Sequence, residues 1–317
     1  MNPGPTLKQL KAFAAIAATG SFTEAAMALH LTQSAISVLI RDLEQELGVQ
    51  LLDRTTRKVT VTEAGHELLP AAQSIFNNLA ATIERLNDIR DKKSGTLRVA
   101  APQLMASTVM PRLISQWLGE YPGITVKLHD TLPERLLSVL RDGEVELAIG
   151  PDRFPSGREA DNTREISEIP LFRDQHQLVC PAHHPLASKK VVRWEETSAW
   201  PFIAPTRDAF ASLSATLQAH GIAMAKPAHE VSYVTTAMGM VANGMGLTTC
   251  PTSSEALVHA HGLVMIPLVK PVYYRQIYIY YMAGKSLSPA ANSFIKSIQA
   301  WVSQSPEAKP RTTTGYY

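Results

Sequence analysis

Apolar residues recur at helical spacing through the first part of the chain, and tight turns interrupt them. A first helix is predicted from Leu7 and ends at Gly20, and Ser21 is placed to cap a second helix. After a turn at residues 30–32, a third helix is predicted to run to Leu47. Two short strands joined by a turn are predicted next, at 51–54 and 58–61. Three helices followed by a basic hairpin predict an all-α module of the winged helix-turn-helix type over residues 1–62.

Residues 63–93 predict one long helix, because their apolar positions repeat alternately every four and three residues. The repeating positions are Leu68, Ala72, Ile75, Leu79, Thr82, Leu86 and Ile89, and Ile83 reinforces this seam beside the weak Thr82. The predicted dimerisation residues are Leu68, Ala72, Ile75, Leu79, Ile83 and Leu86. A helix outside any globular core has to bury such a seam, and pairing with a second copy of the chain would bury it. The alternative is an amphipathic helix that lies on its own domain. Pro70 is expected to bend the first turns or to weaken pairing there.

Beyond a short polar linker, strands and helices alternate along residues 94–305, which predicts an α/β fold with parallel sheets covered by helices on both faces. The segment is long for one modest sheet, so we expect two lobes with a cleft between them. Lobe I is expected to comprise 94–167 and 271–305, and lobe II 168–270. Residues 306–317 are expected to form a mobile tail.

The third predicted helix has an apolar face and a short-chained polar face. Ile36 and Ile40 belong to the apolar face, whereas Gln33 can contact a base edge in the major groove and Arg41 can contact a guanine or a phosphate. Basic hairpin residues would neutralise the neighbouring phosphates. The predicted DNA-contacting residues are Thr32, Gln33, Ser34, Ser37, Val38, Arg41, Arg54, Arg57 and Lys58. The alternative for this segment is an ordinary solvated helix beside a charged loop.

The segment from Phe13 to Pro70 resembles the N-terminal region of LysR-type transcriptional regulators. The similarity includes AAxxLHxTQSAxS, LExxLGxxLxxR and the following TEAG, and it continues with SGTLRVA, LRDGEVELAIG and VANGMGLTTCP farther along the chain. The resemblance implies a winged helix-turn-helix dimer that pairs further into a tetramer, and an effector domain like a type II periplasmic binding protein. It also implies double-stranded DNA as a partner, with RNA polymerase as a further candidate. Many members have Pro where this chain has Ser34, and Arg, Gln or His where it has Val38, so the operator sequence stays open.

The ligand cleft is predicted from strand ends, because open parallel sheets bind ligands at the carboxyl edges of their strands. The predicted effector-binding residues are Pro102, Gln103, Leu104, Thr131, Leu132, Pro133, Gly150, Pro205, Thr206, Arg207 and Thr249. The resemblance implies small organic acids or aromatic compounds as ligands. Arg207 and His129 could pair with a carboxylate, although such residues are more often surface or structural ones.

Composition narrows the remaining choices. The formal net charge is only +2, so local placement of charge has to account for any DNA binding. Neither an apolar stretch of about 18 residues nor a signal-peptide pattern is found, so we expect a cytoplasmic protein without a membrane partner. Cys180 and Cys250 lie in apolar runs and are expected to be buried thiols, with a redox switch as the alternative.

Two other classes of protein share the two-lobed fold. A transport protein that binds solutes would need an export signal and no DNA-binding module, and this chain shows the reverse. An enzyme would need a set of nucleophilic or titratable groups, but the chain carries neither a G-x-S-x-G elbow, a phosphate-binding loop nor an H-E-x-x-H or C-x-x-C motif. We therefore expect a transcriptional regulator without enzymatic activity, catalytic residues, cofactor or metal site.

Overall fold

The computed structural model describes residues 4–54, 59–91, 95–152, 165–205 and 207–304. The chain divides into two compact units, one formed by Met1–Glu84 with Arg141–Glu144 and the other by Arg85–Leu140 with Val145–Tyr317. In the part of the chain that the structure describes, none of the helices combines the length and the apolar character needed to cross a membrane.

The first unit contains three short helices, a two-stranded hairpin and most of a long helix. Its elements are α1 (Leu7–Thr19), α2 (Phe22–Ala28), α3 (Gln33–Leu47), β1 (Leu52–Arg54), β2 (Val59–Val61) and α4 (Glu63–Asp91). β1 and β2 pair antiparallel, with Arg54 opposite Val59. This order is the predicted winged helix-turn-helix followed by a long helix.

The turns of this unit follow from their capping residues. Gly20 and Gly48 end α1 and α3 in the left-handed conformation, at φ of 65° and 70°. The Ser21 hydroxyl accepts a hydrogen bond from the N–H of Glu24 and so caps α2. His30, in the turn before α3, also has a positive φ of 53°. These caps set the direction in which α3 leaves the turn.

The core of the first unit holds α3 by its apolar face. Ile36, Ile40 and Leu43 are fully buried with Phe13 of α1. On the adjoining side of α3, the Glu44 Oε1 atom accepts hydrogen bonds from the backbone N–H groups of Leu51 and Leu52, at 2.9 and 3.2 Å. These hydrogen bonds attach the start of the hairpin to α3. The polar face of α3, opposite its buried apolar face, is exposed to solvent.

The second unit alternates strands and helices, as predicted. Its elements are β3 (Gly95–Pro102), α5 (Gln103–Thr108), α6 (Met110–Glu120), β4 (Ile124–Thr131), α7 (Leu136–Arg141), β5 (Leu147–Pro151), β6 (Ile166–Pro181), β7 (Val192–Arg193), α8 (Trp194–Thr197), β8 (Ile203–Pro205), α9 (Arg207–Ala219), β9 (His229–Val231), α10 (Val234–Ala242), β10 (Thr248–Pro251), α11 (Glu255–Ala260), β11 (Leu263–Val269), β12 (Tyr274–Met282) and α12 (Pro289–Gln304). Residues 103–120 form two helices and not one, because Pro111 sits in the first turn of α6 and cannot continue α5.

The sheets of this unit are mixed, so the prediction of parallel sheets is wrong for part of the fold. β3 pairs in parallel with β4 and β5, whereas β12 is antiparallel to both β5 and β6. The reason is that β11 and β12 follow one another along the long strand β6, on either side of the short segment 270–273. The direction of β12 is therefore opposite to that of β6, and no crossover helix precedes it.

Strand β6 belongs to both lobes. Its residues 166–175 pair with β12 in the sheet that also contains β3, β4 and β5. Its residues 176–181 pair with β10 and β11 of the other lobe. The first lobe packs its helices around Trp117 and Phe294, whose ring centroids are 5.0 Å apart. Cys180 and Trp194 lie in a core of the second lobe.

Candidate functional site

The polar face of α3 is open to solvent over its first turns. Thr32, Gln33, Ser34 and Arg41 are exposed, Ser37 is half-buried, and 46% of Val38 is exposed. The Thr32 hydroxyl also caps α3, since it accepts a hydrogen bond from the N–H of Ala35 at 3.2 Å, and it lies 3.0 Å from the Ser34 hydroxyl. The six predicted positions on this helix are therefore together on one surface.

The side chains of the predicted basic residues of the hairpin are not among those that the structure describes. Arg54 ends β1, but its side chain lies outside the described residues, as do Arg57 and Lys58. Among the predicted DNA-contacting residues, the structure therefore describes the side chains of those on α3 and its N-cap.

The predicted seam of α4 divides into two parts. Leu68 and Ala72 pack into the core of the first unit, and Ala72 is fully buried there. Ile75, Leu79 and Ile83 are exposed to 44%, 44% and 51%. The side chain of Leu86 lies outside the described residues. Among the seam residues whose side chains the structure describes, the exposed apolar row thus consists of these three positions.

A cavity of about 110 Å³ lies between the two lobes of the second unit. Five of the predicted effector-binding residues line it, namely Pro102, Leu104, Pro133, Pro205 and Thr249. They come from the end of β3, from α5, from the turn before α7, from the end of β8 and from β10. The ends of strands from both lobes therefore meet at this cavity.

The other predicted effector-binding residues fall into two groups. Some are described but do not line the cavity, and the others lie outside the described residues. Gln103, Thr131 and Leu132 are half-buried nearby along the chain but do not line it. Gly150 is buried in close packing, because a Cβ atom there would overlap the Leu136 side chain. Thr206 and the side chain of Arg207 lie outside the described residues, and His129 is half-buried on β4, away from the cavity.

Apart from Thr249, the polar residues of the cavity were not predicted from the sequence. Asp174 and His176 come from β6, and Tyr273 and Arg275 come from the start of β12 and the residue before it. Arg275 is directly opposite Asp174 in the register of the two strands. A signal was available in the DQHQ segment, because residues two apart in a strand share one face.

The Asp174 carboxylate is buried and is held by a turn of the second lobe. The Ser253 hydroxyl donates a hydrogen bond to Asp174 Oδ2 at 2.5 Å, and the Ser253 N–H donates to Oδ1 at 3.3 Å. Burial raises the pKa of Asp174 to about 6, although the hydrogen bonds from Ser253 and Thr252 lower it. The desolvation of this carboxylate is therefore only partly compensated.

Arg275 is the cation among the described residues that line the cavity, and it is already paired. Its Nε donates to Asp152 Oδ1 at 2.5 Å, and its Nη2 donates to the Asp152 carbonyl oxygen at 2.6 Å. Burial and then the positive charge of Arg275 lower the pKa of His176 to about 3, so the imidazole is neutral near pH 7.

Two buried polar atoms at the cavity have no hydrogen-bond partner, the Tyr273 hydroxyl oxygen and His176 Nδ1. Only 4% of Tyr273 is exposed. The two rings pack edge to face with their centroids 5.2 Å apart, and the backbone N–H of His176 donates to the Tyr273 carbonyl at 2.9 Å. Both side chains therefore retain hydrogen-bonding capacity that no described group of the chain uses.

Both cysteines are buried free thiols, which confirms the expectation from the sequence. Burial raises the pKa of Cys180 to about 11, and it also raises the pKa of Cys250. A reactive cysteine needs a stabilised thiolate, so this arrangement disfavours the redox alternative. Among the described residues, no cluster of His, Cys, Asp and Glu could hold a metal ion.

Two family models match the chain. One, described as a bacterial regulatory helix-turn-helix protein of the lysR family, matches residues 7–66, and the LysR substrate binding domain matches residues 90–303. Among curated proteins, the chain is similar to the uncharacterized HTH-type transcriptional regulator YfeR of Shigella flexneri, with 31% identity over 293 residues and 91% of both chains covered. It is also 36% identical over 199 residues to a probable RuBisCO transcriptional regulator of Cyanophora paradoxa, which covers 63% of this chain and 60% of that one.

Solved structures of the same fold include CbnR, a LysR family transcriptional regulator. CbnR has a TM-score of 0.74 at 21% identity and covers 96% of this chain and 100% of its own. Full-length CbnR complexed with its target DNA has a TM-score of 0.73 at 22% identity, with 93% and 99% covered. Full-length OxyR from Pseudomonas aeruginosa has a TM-score of 0.63 at 23% identity, with 96% of each chain covered. At these identities the likeness extends to the fold alone.

Proposed function

Because this chain belongs to the LysR family of transcriptional regulators, we propose how its own residues bind DNA, associate and bind an effector. The chain is a DNA-binding transcriptional regulator with an effector-binding domain and is not an enzyme. We propose the domain limits 1–62 for the winged helix-turn-helix, 63–93 for the linker helix and 94–305 for the effector domain. We place its action in the cytoplasm, where promoter DNA is found.

The exposed face of α3 carries the DNA-binding proposal. Gln33 is exposed at the start of the helix, where short neighbouring side chains allow close approach to base edges. Arg41 is exposed two turns later and can reach a guanine or a phosphate. Val38 cannot donate a hydrogen bond to a base edge, but its apolar side chain can pack against a thymine methyl group in this arrangement. The buried Ile36 and Ile40 prevent α3 from presenting any other face.

Alanine variants test this arrangement. The wild-type protein first selects a duplex from a random pool, and gel shifts then compare Arg41→Ala and Gln33→Ala on that duplex. Each variant should lose about 1–3 kcal/mol of binding free energy, roughly tenfold to a hundredfold in affinity. Lys11→Ala, which removes an exposed cation from α1 of the same unit, is the matched control and should stay within about twofold. If both α3 variants bound as tightly as wild type while their circular dichroism stayed native, the proposed interface would be wrong.

We propose the exposed row on α4 as the dimer contact. Ile75 and Leu79 lie at successive heptad positions and Ile83 lies beside the next one, and all three are exposed in one copy, so a second copy of the same helix can bury them. Leu68 and Ala72 do not belong to this contact in our proposal, because they already pack into the core of the first unit. Further pairing of dimers into a tetramer would set two DNA-binding pairs on successive sites.

We propose that the cavity between the lobes binds the effector, a small organic acid or aromatic compound. Supporting this, strand ends from both lobes converge there and the lining is mainly apolar with few polar groups. The ligand changes the closure of the lobes and so the spacing of DNA-binding pairs, to the extent that it binds one arrangement more tightly than the other. Footprints on the selected duplex should then change in length when ligand is added. Footprints unaltered by every molecule that binds the cavity would remove this coupling step.

A further inference from the structure

We propose that the effector cavity selects an uncharged molecule, a small aromatic ring whose polar group pairs with the Tyr273 hydroxyl and with His176 Nδ1. This inference rests on the proposed effector site and chooses between the two ligand classes given for it. The three observations that carry it are the size and lining of the cavity, its two unpartnered polar atoms and its charges.

The size and lining of the cavity favour a small apolar body. Its volume of about 110 Å³ is on the scale of the roughly 150 Å³ apolar cavity that is known to admit benzene. Phe202 and Phe210 line it with their ring centroids 5.9 Å apart, and Leu104, Leu213 and Ile277 add aliphatic surface. Aromatic and aliphatic walls of this kind bury a ring and leave few places for a polar substituent.

The two unpartnered atoms mark such a place. Buried polar groups are nearly always hydrogen-bonded, so two orphan atoms in one cavity call for a partner from outside the chain. The Tyr273 hydroxyl can donate, and a neutral imidazole can present one bare nitrogen as an acceptor. A group that has both an acceptor and a donor, such as a carboxamide, satisfies both atoms at once. The edge-to-face packing of the two rings holds these atoms on neighbouring side chains.

The charges around the cavity oppose an anion. Asp174 lines the cavity as a carboxylate near pH 7.5, above its pKa of about 6. The Arg275 guanidinium is engaged by Asp152 through both its Nε and Nη2 groups. His176 is neutral at this pH and adds no positive charge. A carboxylate ligand would therefore meet a like charge while the described cation is already neutralised.

Benzamide and benzoate form a matched pair of probes, since they have nearly the same shape and differ in charge and in hydrogen-bond donors. Isothermal titration at about pH 7.5 uses the full-length wild-type protein and the variants Tyr273→Phe and Tyr274→Phe. The second variant makes the same change one position along the strand, at a residue that does not line the cavity. We expect benzamide to bind wild type at least tenfold more tightly than benzoate. Tyr273→Phe should weaken benzamide at least fivefold, whereas Tyr274→Phe should leave it unchanged.

Three results would overturn the inference. They are benzoate binding as tightly as benzamide, an unchanged benzamide affinity in Tyr273→Phe, or no binding of benzamide at millimolar concentration. The first two would leave the cavity as an effector site and reject only the uncharged ligand. The third would also question the cavity as the effector site. Gel shifts without ligand test DNA binding separately, so a failure of the regulator assignment is recognised independently.

Discussion

Replacing Asp174 by Asn should make the effector domain more stable at neutral pH and should change how its stability depends on pH. The carboxylate is buried, and burial raises its pKa from 3.8 to about 6 despite its hydrogen bonds to Ser253. Folding therefore favours the protonated acid. The contribution of this group to stability is complete below its unfolded pKa and is lost as the pH rises through about 6. Asn is neutral at every pH and can still accept a hydrogen bond from Ser253.

The size of the effect follows from the shift. A difference of about two pKa units corresponds to about 3 kcal/mol between low and neutral pH, at about 1.4 kcal/mol per unit. Only part of this window is usable, because other carboxylates also titrate in acid. Between about pH 4.5 and 7.5, the free energy of unfolding of Asp174→Asn minus that of wild type should rise by about 2 kcal/mol. His176 contributes with the opposite sign, since its lowered pKa favours the fold at higher pH. It is present in both proteins and cancels in the difference to first order.

Urea unfolding followed by tryptophan fluorescence measures this difference in the second unit, which contains Asp174. All four tryptophans lie in the second unit, at Trp117, Trp194, Trp200 and Trp301. Asp130→Asn serves as the control for removing one carboxylate, because Asp130 is exposed on β4. A difference for Asp174→Asn that stayed constant across the pH range, or that followed the Asp130 control, would refute the role assigned to burial of this carboxylate.

Three further predictions follow from packing and burial. Gly65→Ala should destabilise the first unit by about 1–3 kcal/mol, because its Cβ atom would overlap the backbone carbonyl of Leu51. Circular dichroism during urea unfolding can be compared with Gly119→Ala, where a Cβ meets nothing within 4 Å. Leu79→Asp should shift the chain toward smaller species in sedimentation velocity, because it places a charge in the proposed dimer contact; an unchanged assembly would argue against that contact. The two buried cysteines should resist alkylation in the native protein and react after unfolding, and fast labelling of the folded chain would contradict their burial.

The parts of the site that could be predicted are those set by local periodicity. The apolar face of α3 follows a helical repeat, so its polar residues could be assigned to one surface from the sequence. Pro102, Pro205 and Thr249 were identified because each ends or lies near the end of a short apolar strand, and these strand ends do line the cavity. In each case the relevant information lies within a few neighbouring residues.

The polar residues of the cavity other than Thr249 depend on pairing over long separations. Arg275 is opposite Asp174 only because β12 runs antiparallel to β6, and parallel sheets were expected instead. The first half of β6 was also not predicted as a strand, so the shared face of Asp174 and His176 was not recognised. The alternation of the DQHQ segment is visible in the sequence, but it acquires meaning only when the partner strand is known.

The position of these residues gives a physical reason why a ligand could change the arrangement of the two lobes. The pairing of β6 passes from β12 to β10 at Gln175 and His176, which is the point where the strand leaves one sheet and enters the other. Asp174 and His176 lie on either side of this point, and both line the cavity. A molecule bound there would lie beside the segment of β6 at which the chain passes from one lobe to the other. Its binding energy can therefore differ between a closed and an open arrangement, and that difference is what the proposed regulation requires.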